Sequence, residues 1–168
     1  LYNCTSPTPR VDPETYHTRV YNNLKLMNDS KWTRFVDKHL FKEYCKQKGV
    51  EPVPNLAVYS QDDYDKIDFF QFPKSFAIKS NKASGRNIMV KNGVVYMRAN
   101  SAESDATPVG RLANDTVALI RNIIKDWCAP YMRRQHEPQY EFMDCKIIIE
   151  EFLEPTPDDI RVFVVDHQ

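Results

Sequence analysis

The sequence predicts an α+β fold, and three observations carry that prediction. An Asn92-Gly93 pair stands between two short apolar runs, the strongest short-range signal for a β-hairpin. Two stretches, 31–48 and 109–127, repeat their apolar residues at helical spacing. Short β-rich runs complete the series, in the order helix, strand, strand–loop–hairpin, helix, strand, turn, strand.

Residues 5–14 hold Pro7, Pro9 and Pro13 among polar side chains, which suits an extended lead-in over 1–30. From Lys31 to Lys48, Trp32, Phe35, Val36, Leu40, Phe41 and Tyr44 form an apolar stripe, with Lys and Arg on much of the other face. Asp29 or Ser30 offers an N-cap and Gly49 a stop, so one amphipathic helix with a basic outer face is expected. Glu51–Pro54 is a stiff connector that closes a unit over 31–54, and Leu56–Tyr59 reads as a short strand. Asp62–Asp68 suits a turn or short helix. Phe76–Lys79 reads as a strand running into the polar loop Ser80–Arg86, and Asn87–Lys91 with Val94–Met97 form the predicted hairpin. Ala99–Pro108 is polar. In 109–127, Leu112, Val117, Leu119, Ile120, Ile123, Ile124 and Trp127 mark the second helix. Lys146–Phe152 is a β-rich run, and Ile160–Val165 is another beyond the Pro155/Pro157 break. No internal repeat or low-complexity tract interrupts this order.

The 168 residues suffice for one domain with a hydrophobic core or for two small lobes. At 42% hydrophobic and 12% aromatic, the composition is that of a folding chain. Lys+Arg and Asp+Glu both number 23, and this balance argues against general nucleic-acid or membrane-surface binding. No apolar run approaches the roughly 18–20 residues of a membrane span. The start, Leu1-Tyr2-Asn3-Cys4, shows neither an initiator Met nor a signal-peptide pattern and reads as processed or trimmed. Cys4, Cys45, Cys128 and Cys145 form no CxxC pair, so neither a zinc site nor a redox motif is expected; they read as reduced thiols of a cytoplasmic protein. The acceptors Asn3, Asn28 and Asn114 for N-glycosylation are within what chance supplies.

Four constellations could carry chemistry, and each has a plainer reading. Lys79 ends an apolar strand and is followed by Ser-Asn-Lys-Ala-Ser-Gly-Arg-Asn. Small residues there would let backbone N–H groups approach anionic oxygens, and Gly85 permits a tight turn; the plain reading is a solvated turn with exposed cations. The Walker A and GxGxxG fingerprints are absent. In Ile147–Leu153, the adjacent Glu150 and Glu151 either point alternately to solvent or mark a hinge whose backbone pairs with a purine edge. In Pro157–Val165, Asp159 and Arg161 share a strand face. They are either a weak surface ion pair or ligands for a ribose and for a phosphate or carboxylate. Asp37-Lys38 is either a solvated helical pair or part of a phosphate site.

The order of these elements resembles the ATP-grasp superfamily over residues 31–165. The series is Asp37-Lys38 in a helix, Pro52 and Pro54 in a connector, Pro73–Lys79 with its Ser/Gly-rich loop, Ile147–Leu153, and Asp159–Val165. The middle looks most like the TupA-like branch associated with teichuronopeptide and polysaccharide biosynthesis, whose loop reads roughly K-x-N-H-x-S-G-x-N. The ending is closer to the RimK-like amino-acid ligases. The resemblance implies an ATP-grasp central nucleotide-binding lobe over 55–153 and the start of a C-terminal lobe over 154–168. It implies that Lys38 and Lys79 contact ATP phosphates, and that Ser84 and Gly85 belong to a loop over the triphosphate. Glu151, Phe152 and Leu153 would form the adenine hinge, with Glu150 at the exocyclic amine. Asp159 would face the ribose, with Asp158 or Glu154 as substitutes, and Arg161 would lie near the γ-phosphate or the acceptor carboxylate, where it would act catalytically. Lys82 stands where the family has a His. The metal set within this chain is empty: the resemblance puts the Mg²⁺ ligands beyond Gln168.

The reaction implied is ATP-dependent activation of a carboxylate-bearing acceptor as an acylphosphate, then attack by an amine or similar nucleophile. Two other classes compete. Lys82-Ala83-Ser84-Gly85 fits the KxxG pattern of polynucleotide ligases and capping enzymes, in which a Lys becomes covalently nucleotidylated; the Asp37-Lys38 helix is then unexplained. A degenerate, non-catalytic ATP-grasp module is the third reading.

Overall fold

The computed structural model describes residues 30–82, 85–97, 106–129, 140 and 143–154, with side chains from 33 onward. It is a mixed α+β structure built on one six-stranded sheet. Helices α1 (Ser30–Val36) and α2 (Lys38–Gln47) lead into β1 (Asn55–Ser60), two short 3₁₀ turns and β2 (Phe76–Ser80). Strands β3 (Asn87–Lys91), β4 (Val94–Met97) and β5 (Thr107–Arg111) follow, then helix α3 (Asn114–Cys128) and strand β6 (Lys146–Glu151). The strand order is β1-β6-β2-β3-β4-β5, and every neighbouring pair is antiparallel. Among the described strands, the last in sequence, β6, thus lies between the first two, β1 and β2.

The hairpin forms where the Asn-Gly pair predicts it. Asn92 and Gly93 take φ of 51° and 74°, the two positive values of a type I′ turn, and Lys91 pairs with Val94. Strand alternation then sorts the sheet into two faces. Phe76, Ile78, Ile88, Val90, Val95, Ile147 and Ile149 form one face, fully or almost fully buried beneath Val117, Ile120, Ile124 and Trp127 of α3. Side chains of this size contribute roughly 1.5–3 kcal/mol each on burial, so this layer holds the unit together. The other face carries Ala77, Lys79, Met89, Ile148 and Glu150, and α2 lies against it through polar contacts.

Two expectations need correction. The helix over 31–48 is divided: the backbone turns at Asp37 (φ −73°, ψ 114°), whose Oδ1 accepts from the N–H groups of His39 at 2.8 Å and Leu40 at 3.1 Å. Asp37 is therefore the N-cap of α2 and satisfies two of its orphan donors, and Ser30 lies inside α1 rather than capping it. The second helix begins at Asn114 rather than 109, because Thr107–Arg111 is an edge strand on β4. Thr116 Oγ1 fixes that boundary, donating to the Arg111 carbonyl at 2.7 Å and accepting from Ala113 N–H at 2.8 Å. The lead-in over 1–29, the N-cap alternative Asp29 and the strand expected at Ile160–Val165 lie outside the described residues. No helix among the described residues is long and apolar enough to cross a membrane.

Candidate functional site

The site grows from the junction of α2, β2 and β6. Antiparallel pairing sets Ala77 opposite Glu150 and Lys79 opposite Ile148, so Lys79 and Glu150 are diagonal neighbours on one face. Their side chains meet: Lys79 Nζ donates to Glu150 Oε2. The other carboxylate oxygen, Oε1, pairs with Lys42 Nζ at 2.8 Å. Lys42 also donates to the Val53 carbonyl at 2.8 Å and to Asn55 Oδ1 at 2.7 Å, so its three donors are used. The Glu150 side chain is 4% exposed, Lys42 13% and Lys79 35%: the triad opens to solvent only at Lys79.

Burial pushes the Glu150 carboxyl up, but the hydrogen bonds and charges of Lys42 and Lys79 outweigh it and hold the group below its ordinary value. Burial also pulls Lys42 below the ordinary lysine value, partly offset by Glu150. Glu150 is ionised at neutral pH, with both oxygens committed to ammonium groups. In this structure its carboxylate holds the ammonium groups of Lys42 and Lys79.

Lys38 approaches from the first position of α2. Its Nζ donates to the Ser80 carbonyl at 3.0 Å, with Asn81 O at 3.5 Å, and its backbone N–H donates to Asn81 O at 3.2 Å. Asn81 is the clamp beneath. It is fully buried and donates through Nδ2 to Asp37 Oδ2 at 2.7 Å and to Asp144 O at 3.0 Å, while its Oδ1 accepts from Lys146 N–H at 2.8 Å. Helix α2, loop 80–87 and the start of β6 are thereby fixed to one another. Asp37 is 4% exposed, so the Asp37-Lys38 pair is no solvated helical face.

The remaining expected residues fall along the same strands. Gly85 is exposed at φ 73° in the loop between β2 and β3, with open space where a side chain would stand. Arg86 anchors this loop by donating to the Trp127 carbonyl at 2.8 Å. Glu151, Phe152 and Leu153 continue from β6 at the opposite end of β2. Glu151 N–H is taken by the Pro54 carbonyl at 3.2 Å, Phe152 lies 6.0 Å from Lys91 Nζ, and Leu153 is exposed. Lys91 pairs with Glu154 at 2.7 Å. Loop and hinge are separated by the length of β2, about 13 Å at 3.3 Å per residue. Lys79 lies between them. Ser84, Asp158, Asp159 and Arg161 lie outside the described residues.

Sequence reasoning missed Lys42, Asn55 and Asn81. Lys42 carried a signal, since it is one turn from Lys38 and must share its helical face; that basic face turns toward the sheet, not outward. Lys82 is also turned in: it is buried, and Nζ donates to the Met143 carbonyl at 3.1 Å. Comparison with protein-family models, with curated proteins and with solved structures gave no match.

Among the described residues, Lys42 and Lys79 share the single carboxylate of Glu150, with Lys38 alongside, while Asp37 is spent on the α2 cap and on Asn81. The Lys42–Glu150–Lys79 triad holds two cations to one anion at fixed positions. It suits an anion bearing several oxygens, bound beside Lys79 and the loop. Among the described residues no group of three or more His, Cys, Asp or Glu is placed to hold a metal ion.

Proposed function

We propose that this chain is the nucleotide-binding part of an ATP-grasp ligase and binds ATP along the Lys79 face of the sheet. The observation that carries the reading is the Lys42–Glu150–Lys79 triad beside Lys38. A buried carboxylate holds one lysine in reserve and presents another, partly exposed, to an anion. Hinge, Lys79 and loop follow one another along β2 in the order adenine, α/β-phosphates and terminal phosphate would require. Of the apolar residues on that face, Ala77 and Ile148 are covered by the protein, and the half-buried Met89 is open to a purine.

In this reading Lys79 and Lys38 neutralise phosphate charge, and Glu150 and Lys42 position Lys79 and set its charge balance. Gly85 lets the loop backbone approach the phosphates, with Ser84 beside it. Phe152 and Leu153 bind adenine through the backbone, Glu151 fixes the start of that hinge through its N–H on the Pro54 carbonyl, and Asp159 binds ribose. Bound ATP then supplies a γ-phosphoryl group to an acceptor carboxylate near Arg161, and the acylphosphate is consumed by an amine or similar nucleophile. Mg²⁺ would be held by residues other than the described ones, and no step here is assigned to it. A cytoplasmic location fits the use of ATP. The covalent alternative is disfavoured by Lys82, whose ammonium is buried on a carbonyl and does not face a nucleotide.

The test is equilibrium ATP binding by calorimetry, comparing the protein with Lys79→Ala and with Lys66→Ala, a surface lysine paired with Asp63. Binding weakened at least about tenfold by Lys79→Ala, or about 1.4 kcal/mol, and unchanged by Lys66→Ala is expected. Equal affinity of the two variants for ATP, or a nucleotide adduct on Lys79 or Lys82 in the intact mass, would refute the reading.

A further inference from the structure

The sulfurs of Cys128 and Cys145 lie 2.9 Å apart. Cys128 ends α3 and Cys145 directly precedes β6, so the fold joins two cysteines that stand 17 positions apart and form no recognisable motif. The sequence holds no CxxC motif, and the three cysteines among the described residues are free thiols; the nearness of two of them comes from the fold. A disulfide is about 2.05 Å long, so closing the bond needs a movement of less than about 1 Å.

Polar groups surround the pair. Cys145 Sγ shares a hydrogen bond with Cys128 Sγ, lies 3.9 Å from Ser80 Oγ, donates to the Trp127 carbonyl at 3.6 Å, and feels the positive charges of Lys82 and Arg86. The hydrogen bond from Cys128, against the opposing effect of burial, brings the Cys145 thiol down to about 7; the same bond, with burial, pushes the Cys128 thiol up. Cys145 is buried, whereas Cys128 is only half-buried, so an oxidant meets the pair from the Cys128 side.

We propose that Cys128 and Cys145 are a redox pair that hydrogen peroxide or another small hydroperoxide converts to an intramolecular disulfide. Proton transfer across the short contact places the thiolate on Cys128, and its sulfur attacks a peroxide oxygen. The O–O bond breaks, giving the Cys128 sulfenic acid and hydroxide, and the hydroxide takes the Cys145 proton and leaves as water. The Cys145 thiolate then attacks Cys128 Sγ and expels hydroxide, which leaves as a second water with a proton from solvent. Two sulfurs are oxidised by one electron pair and the peroxide is reduced. The bond pins the last turn of α3 to the start of β6. Arg86 is anchored to Trp127, one residue before Cys128, so the clamp also fixes the base of loop 80–87. The proposal stands on the sulfur contact and does not depend on what that loop binds.

The test treats the reduced, full-length chain with hydrogen peroxide, alkylates remaining thiols, and maps peptides by mass spectrometry without reductant. Expected is a Cys128–Cys145 linked peptide lacking two hydrogens, cleaved by dithiothreitol, with Cys45 alkylated before and after as the internal control. Oxidation should also raise the melting temperature by about 5–10 °C, an increase that Cys128→Ser abolishes. Cys128 and Cys145 both alkylated after peroxide, or Cys145 found linked to Cys45 instead, would overturn the proposal whatever the variant does.

Discussion

Replacing Glu150 with Gln tests whether the lysine triad is held by charge. Glu150→Gln keeps the shape of the side chain and removes the anion, leaving the 13%-exposed Lys42 ammonium beside a neutral amide. Removing one partner of a buried ion pair costs about 3–5 kcal/mol, because the other charge is left desolvated and uncompensated. Lys79, at 35% exposure, is partly rehydrated, so its share is discounted. The expected loss is about 2–4 kcal/mol by urea unfolding, and a fall in melting temperature on the order of 5–15 °C. Combining Glu150→Gln with Lys42→Met should be less damaging than the sum, since the stranded charge is gone. Additivity within about 0.5 kcal/mol would show that the two residues are not coupled and would refute the argument.

The same variant has a pH signature. The Glu150 carboxyl is held below its ordinary 4.5 in the folded chain. A carboxyl depressed by folding contributes stability that is fully present above its unfolded value and is lost as pH falls through the folded one. The stability difference between the protein and Glu150→Gln should therefore be flat from neutral pH to about 5 and shrink below that. A difference that grows on acidification would mean that the carboxylate is not stabilised by its lysines.

Two further substitutions test the frame around the site. Asn81→Ala strands the part-buried Lys146 N–H and a buried Asp37 oxygen, and should cost about 2–3 kcal/mol in urea melts; a loss under 1 kcal/mol would mean that water replaces the clamp. Gly93→Ala meets nothing within 4 Å, so only the φ of 74° opposes it. A loss of about 1 kcal/mol is expected, and a neutral result would argue against a type I′ turn.

The hairpin, β6 and helix α3 were legible because their signals are local: an Asn-Gly pair, an Ile-rich run, an apolar period. Strand β5 was not, since Thr107–Arg111 is mostly exposed and contains Pro108 and Gly110. An edge strand of this kind has no buried face to impose an alternating pattern. The break at Asp37 was hidden by apolar spacing that continues through it. The site was half legible. Lys38, Lys79 and Glu150 could be nominated one by one, but their relation could not, because β6 lies between β1 and β2 although it is remote from both in sequence.

That insertion also explains why the unexpected chemistry gathers at one place. Each element adjacent to β6 gains a long-range partner. Lys42 and Lys79 reach Glu150, Asn81 reaches Lys146, and Cys128 reaches Cys145 at the strand's entrance. Glu150 organises one end of the strand and Cys145 guards the other, with loop 80–87 bound to the Cys145 end through Asn81 and Arg86. A ligand on the Lys79 face and an oxidant at Cys128 would therefore act on the same strand. Stabilising β6 by either route should slow hydrogen exchange along Ile147–Ile149, since opening those amides requires releasing both of its neighbours.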